Sequence, residues 1–336
     1  MIARLLGVIA ALLFSSGCLA KAPEWAVGLC GEALKEAVRV HCGPVQTLEG
    51  AELWHTLLEI DGIGDGKIID RFGVDPLCSD PKNGMQDGIT MISVIDRSWW
   101  MPDYALLDVY ANDLHVIYPC DESIHTIRKN YMPGVPEGKI FYDGVSWKTG
   151  EDVRGQGVWL FPEKYAGEIA RAIMYVACIY PADLWVGPGA VFMDAGKYPS
   201  LSESAARYLL VAHDSHAPEE RELIRNKRVA ELQGNINPFV VWPDMPAHIW
   251  GELKNVPYPL EEDSNDDFKP LRGYYRIDDG TIDLVSPFVP DDAEWKVDGV
   301  AVYNKRIPIK DLVPGKHEIT FTSARCSGKV VVSVLY

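Results

Sequence analysis

An acidic run, Glu261-Glu-Asp-Ser-Asn-Asp-Asp267, flanked by prolines within 257–270, divides this 336-residue chain into two stretches whose apolar residues repeat with different periods. Before the run, the strongest signal has helical spacing. Over Glu163 to Ile179, the residues Ile169, Ala170, Ile173, Met174, Val176 and Ala177 make one wide apolar face. After the run the period is two: Trp295 to Gly299, Val300 to Tyr303, His317 to Thr322 and Lys329 to Leu335 read as short strands between glycine and proline turns. A helix and a half-buried strand need different packing partners, so the pattern predicts two domains. They are a mixed domain over 21–256 and a small β-sandwich over 271–336, joined by a solvated acidic linker over 257–270.

The first twenty residues stand apart from both. Arg4, the apolar run Leu5 to Phe14 and the small residues Ser15-Ser16-Gly17 read as a secretory signal, too short for a membrane span. Two processing readings stand: lipid attachment at Cys18, or cleavage after Ala20 to free an unlipidated protein. The expected location is periplasmic or extracellular, with membrane contact only through a lipid on Cys18. Six of the seven cysteines then remain, which in an oxidising compartment permits disulfides, and Cys30 and Cys42 are near enough in sequence to pair. Cys178, inside the apolar helical run, reads as a buried thiol.

Other elements follow from local pattern. Glu24 to Val40 has helical spacing and ends at Gly43-Pro44, and Gly50 to Glu59 is a second short helix. Asp61 to Gly66 lacks the alternating ligands of a calcium loop and reads as a hairpin turn. Ile89 to Ile95 is a β-branched strand, and Asp121 is placed to cap a helix running to Tyr131. Ser200 to Ala212 and Pro218 to Gln233 are further helices. No H-E-x-x-H, G-x-S-x-G or phosphate-loop motif occurs, and no cysteine pair has zinc-site spacing. The densest group of ligand-type side chains is Asp113, His115, Asp121 and His125, which equally reads as a polar loop. His213 and His216, near a helix end, read as capping or surface residues.

Several blocks in fixed order carry more information. Phe141 to Trp147, Lys164-Tyr-Ala-Gly-Glu-Ile-Ala-Arg171, Arg225 to Phe239 and Ile249-Trp250-Gly251 together resemble the endonuclease I family of secreted bacterial nucleases. Gln233-Gly-Asn-Ile-Asn-Pro-Phe239 is the most specific piece, and Asp113 to Pro119, Asp121 and Arg128-Lys-Asn-Tyr131 match the segment around that family's active site. The resemblance spans roughly residues 28 to 252. It implies an α+β fold with a ββα-metal nuclease unit. There a strand histidine activates water, and a neighbouring glutamate and a helix asparagine help hold one divalent cation such as Mg2+. It also assigns substrate-binding positions to Arg128, Lys129, Asn130, Arg171 and Arg228. The C-terminal Trp295-Lys-Val-Asp-Gly and Pro314-Gly-Lys-His-Glu-Ile-Thr patterns resemble immunoglobulin-like modules of secreted proteins.

The chain departs from the family where chemistry is done. Anchored on Ser98-Trp99-Trp100, the acidic position falls on Ile92, the general base on Ser93 and the metal-ligand asparagine on His125. Imidazole can ligate a cation, but isoleucine cannot, and a serine with no basic neighbour does not accept a proton near neutral pH. Shifting the anchor recovers no histidine, since none lies between His55 and His115; His115 on the matched segment and Asp96 near the strand end are the candidates for a relocated base. A formal charge of −16, or −17 once Arg4 is removed, disfavours nucleic acid as partner. Arg128, Lys129, Arg171, Arg225, Lys227 and Arg228 would form either a local basic patch or ion pairs with Glu219, Glu220, Glu222 and Glu231. Trp99 and Trp100 would either stack bases or anchor the core. Three functions follow in order: a catalytically degenerate family member that binds a partner, an active metal-dependent nuclease with a rearranged site, and a surface module binding glycan or protein. Only the second requires a cofactor.

Overall fold

The computed structural model describes residues 22–73, 77–78, 88–144, 146–259, 274–276, 280–284, 294–303, 306–322 and 327–335. The signal segment with Cys18, the acidic run and Cys326 lie outside the described residues. Helices α1 (Gly31–Cys42) and α2 (Gly50–Ile60) lead into a small sheet of β1 (Gly62–Gly64), β2 (Lys67–Ile68) and β3 (Leu77–Cys78). Then come β4 (Ile89–Ser93), α3 (Leu107–Ala111), β5 (Ile117–Asp121) and α4 (Glu122–Arg128). A four-stranded sheet follows, of β6 (Met132–Pro133), β7 (Ile140–Asp143), β8 (Lys148–Glu151) and β9 (Gly157–Leu160), in the order β6-β9-β8-β7. Helices α5 (Ala166–Ile179), α6 (Gly189–Phe192), α7 (Glu203–Ser215), α8 (Glu220–Gln233), α9 (Pro238–Val241) and α10 (Met245–Ile249) complete this unit.

Helix α5 is its axis. Every residue of α5 except Glu168 is buried, and it packs against α1, α7 and α9. Such all-round burial is what a helix made almost wholly of small and apolar residues requires. One position sets the spacing: a Cβ on Gly167 would stand 2.5 Å from the His216 carbonyl, so only glycine fits where the α5 and α7 ends meet.

The N-terminal helix begins later than its periodicity predicts, at Gly31 rather than Glu24. Leu29 forms an antiparallel bridge with Tyr258, and Gly28 and Gly31 have φ of 78° and 50°, so the chain is held out of helical geometry there. Tyr258, read as linker, is 2% exposed and closes the first core. Cys30 and Cys42 occupy opposite ends of the twelve-residue α1, about 18 Å apart by helix rise, so they do not pair, and both thiols are free. Cys178 is buried, as its setting in α5 predicts.

Five buried charges and the half-buried Glu168 cross-link the unit. Arg225 of α8 donates to Asp61 at 2.9 Å and to the carbonyls of Leu114 and Ile117 at 2.7 and 3.0 Å. Asp61 also pairs with Arg71 at 2.9 Å, and Arg71 reaches Glu168 of α5. Arg171 of α5 grips both oxygens of Glu222 of α8, at 2.7 and 2.6 Å. Each arginine thus ties helix to helix or helix to strand.

The C-terminal unit is all β. Strands β10 (Tyr274–Arg276), β12 (Glu294–Val297), β13 (Val300–Val302), β15 (Gly315–Thr322) and β16 (Ser327–Leu335) form one sheet, ordered β10-β16-β15-β12-β13. β11 (Thr281–Asp283) and β14 (Arg306–Pro308) form a two-stranded ladder. Ile282 and Ile307 from the ladder share a core with Trp295, Val297, Ile319, Val332 and Val334 from the sheet. Asp65-Gly66 and Asp298-Gly299 each turn a hairpin with both φ positive, the geometry that Asp-Gly favours.

His317 locks the second hairpin. Its Nδ1 lies 2.6 Å from Asp298 Oδ2 and its Nε2 lies 2.6 Å from the Val313 carbonyl, two acceptors that only the protonated ring satisfies together. Burial pulls the His317 pKa down, but Asp298 and Val313 outweigh it and the net shift is upward. A raised folded value means stability is fully present below the ordinary value of 6.5 and is lost as pH climbs through the raised one. Melting followed by near-ultraviolet circular dichroism of the C-terminal tryptophan should therefore show a fall in midpoint above pH 6.5 that is absent in His317→Gln.

Candidate active site

β4 and β5 pair antiparallel with Ile92 opposite Tyr118 and Ser93 opposite Ile117, and α4 lies against both strands. This is the strand–strand–helix unit that the resemblance implies. Asp121 caps α4 by accepting from the Ser123 amide at 2.7 Å, as predicted from sequence. Ile92 is 3% exposed and belongs to the main core, while Ser93 and His125 are half-buried.

Arg128 holds helix to strand. Its Nη1 donates to the Ser93 carbonyl at 3.0 Å, and its guanidinium lies 5.0 Å from the Trp159 ring and 5.6 Å from that of Phe72. Its Nε has no hydrogen-bond partner among the described residues, and burial lowers its pKa. Arg171 is likewise buried, on Glu222 and the His216 carbonyl. The expectation that Arg128 and Arg171 contact substrate therefore gives way: both guanidinium groups are internal braces, and so is that of Arg225. Trp99 and Trp100, 1% and 2% exposed, anchor the core and offer no stacking surface. Of the remaining predicted contacts, Lys129 and Arg228 are exposed, with Arg228 3.9 Å from Glu231. Asn130 is tied to the Trp99 turn, accepting from the indole at 3.0 Å and donating to Ser98 Oγ at 3.2 Å.

His115 lies below the surface in a different set of contacts. It is 3% exposed, its Nε2 is 3.2 Å from the Asn235 carbonyl, and burial brings its pKa down to about 4. The space beside it, lined also by Tyr118, Glu168, Glu222 and Arg225, has a volume of about 10 Å³, room for one water and not for a phosphodiester. A ring so reluctant to take a proton, in so small a cavity, is a poor general base near neutral pH. The substitute base predicted at His115 thus lies in the buried polar cluster and not on an open surface.

The motif Gln233 to Phe239, the most specific piece of the sequence, is structural too. Asp113 accepts from Gln233, from Tyr175 and Tyr180, and from the His115 amide, at 2.7–2.9 Å. Asn235 donates to the Cys42 carbonyl at 2.8 Å, and Asn237 caps α9 through the Phe239 amide at 3.1 Å. The sequence cluster Asp113, His115, Asp121 and His125 is accordingly split: two members belong to this knot, one caps α4, and one lies on α4. Among the described residues no three His, Cys, Asp or Glu side chains gather where they could hold a metal ion. At the two positions that the resemblance gives to the metal, Ile92 offers no donor atom and His125 offers one imidazole, a poor set for a hard divalent cation.

A residue the sequence reading placed only as a contact proves to be strained. Lys129, ending α4, has φ 52° and ψ −143°, a region close to glycine's own. Lys129→Gly is expected to raise stability by about 1 kcal/mol in urea unfolding. An unchanged or lower midpoint would show the conformation to be unstrained.

Two comparisons bear on this geometry. No curated protein matches the sequence. The model of the family described as Endonuclease I matches residues 51–244, more than half of the chain and the whole of the ββα unit with its buried polar knot. The chain belongs to the endonuclease I family.

Proposed function

We propose that this protein is a catalytically degenerate endonuclease I that acts by binding a partner. The observation that supports this best is the pair Ile92 and Ser93 on β4. One is a core side chain and the other a hydroxyl, which does not by itself accept a proton near neutral pH, and on the Ser98-Trp99-Trp100 anchor they fall at the family's acidic and general-base positions. Loss of a general base alone typically removes about 10²–10⁴-fold in rate. The charge of −16 favours the same reading, since a nuclease must approach a polyanion. The burial of His115, and the use of Asp96 to cap the turn at Ser98, weigh against the rearranged-nuclease alternative. The N-terminal segment supports export, with Cys18 as the point of lipid attachment or Ala20 as the end of the signal, and the C-terminal β unit is read as an immunoglobulin-like module. Among the described residues no helix is long and apolar enough to cross a membrane.

Plasmid and RNA incubated with the mature protein and Mg2+ or Mn2+ should remain uncut. The triple variant Ile92→Glu, Ser93→His, His125→Asn, which restores the family's side chains, should gain chelator-sensitive nicking by about 100-fold or more over the parent. Metal-dependent cleavage by the unaltered protein that disappears in His125→Ala would overturn the reading.

A further inference from the structure

The outer strand β7, beside the ββα unit, presents an unusual surface for so acidic a chain. All four of its residues are exposed, with Ile140, Phe141 and Tyr142 at 43%, 44% and 36%, and its far edge has no neighbour among the described strands. An irregularity in register between Ile140 and Tyr142 falls at Phe141, the kind of bulge that re-aims a side chain, and the Phe141 ring lies 5.8 Å from that of Tyr131. Native proteins usually blunt an open edge with charge or cover it, because it invites another strand.

Two lysines frame these rings. Lys129 Nζ lies 5.5 Å from the Tyr131 ring and Lys139 Nζ lies 5.9 Å from the Phe141 ring. The chain has 48 acidic residues for 32 basic ones, yet neither lysine has a carboxylate partner among the described residues. One of the two, Lys129, sits on the strained backbone described above, where glycine would be at ease. Strained residues cluster at ligand sites, and this one lies beside an exposed patch whose single acidic residue, Asp143, is paired with Lys148 at 2.8 Å.

The geometry points to a partner: we infer that the β7 edge binds an extended acidic peptide segment, its apolar side chains on Phe141 and Tyr142 and its carboxylates on Lys129 and Lys139. The inference rests on the binding role proposed above and names the partner's class. The open edge offers main-chain pairing to a peptide, which a glycan cannot use. The overall charge separates a short peptide from a long polyanion. Beyond about 8 Å at physiological salt the acidic surface is screened, so a segment with a few carboxylates senses the two lysines, whereas a nucleic acid extends across the repulsive surface.

The test is fluorescence anisotropy with the full chain and a labelled heptapeptide of alternating glutamate and valine. The same peptide with glutamine for glutamate and a labelled oligothymidylate serve as the other probes. Saturable binding of the acidic peptide is expected, weakened at least tenfold by the Lys129→Gln, Lys139→Gln pair and by Phe141→Ser, with both variants melting as the parent does. No binding, equal binding of the glutamine peptide, or binding of the oligothymidylate alone would overturn the inference. Metal-dependent cleavage in the nuclease assay would instead overturn the reading beneath it, so the two failures are distinguishable.

Discussion

The contacts of Arg225 fix more of this structure than any other interaction. One guanidinium joins α8 to Asp61 at the end of α2 and to two carbonyls that flank the start of β5. Through Asp61 it is coupled to Arg71, and through Arg71 to Glu168 on the axial helix α5. A buried charge left without its partner costs about 3–5 kcal/mol, so members of such a network are not readily lost one at a time. The knot of Asp113, Gln233 and Asn235 beside it imposes the same condition on polar groups: each is satisfied, and each would be costly if stranded.

On the proposed reading, this is how scaffold and chemistry come apart in one chain. Arg225 reaches the Leu114 and Ile117 carbonyls at the start of β5, and Arg128 ties α4 to the Ser93 carbonyl, a main-chain atom that exists whatever side chain stands at 93. The ββα geometry therefore does not depend on the catalytic side chains. On the proposed reading Ile92 and Ser93 take the places of the family's glutamate and histidine on β4, and Ile92 adds apolar burial to the core.

Much of the scaffold was legible in the sequence because its signals are local. The α5 face, the Asp121 cap, the Asp65-Gly66 turn and the β4 strand each follow from a few neighbouring residues. The start of α1 was not, because it is set by Tyr258 at the far end of the domain. The arginines misled for the same reason. On a helix full of glutamates, Arg225 reads as part of a solvated face, and its partner Asp61 lies 164 residues earlier. At the site, Ile92 and Ser93 were legible only through the family's pattern, and the strain at Lys129 not at all, since it lies in backbone angles that residue type does not reveal.

On the proposed reading the framework survives while the donor set for a divalent cation has gone. Isothermal titration of Mn2+ into the full chain tests it most directly. The account predicts no saturable binding at the ββα unit. Stoichiometric binding that His125→Ala abolishes, with the fold intact by circular dichroism, would contradict it.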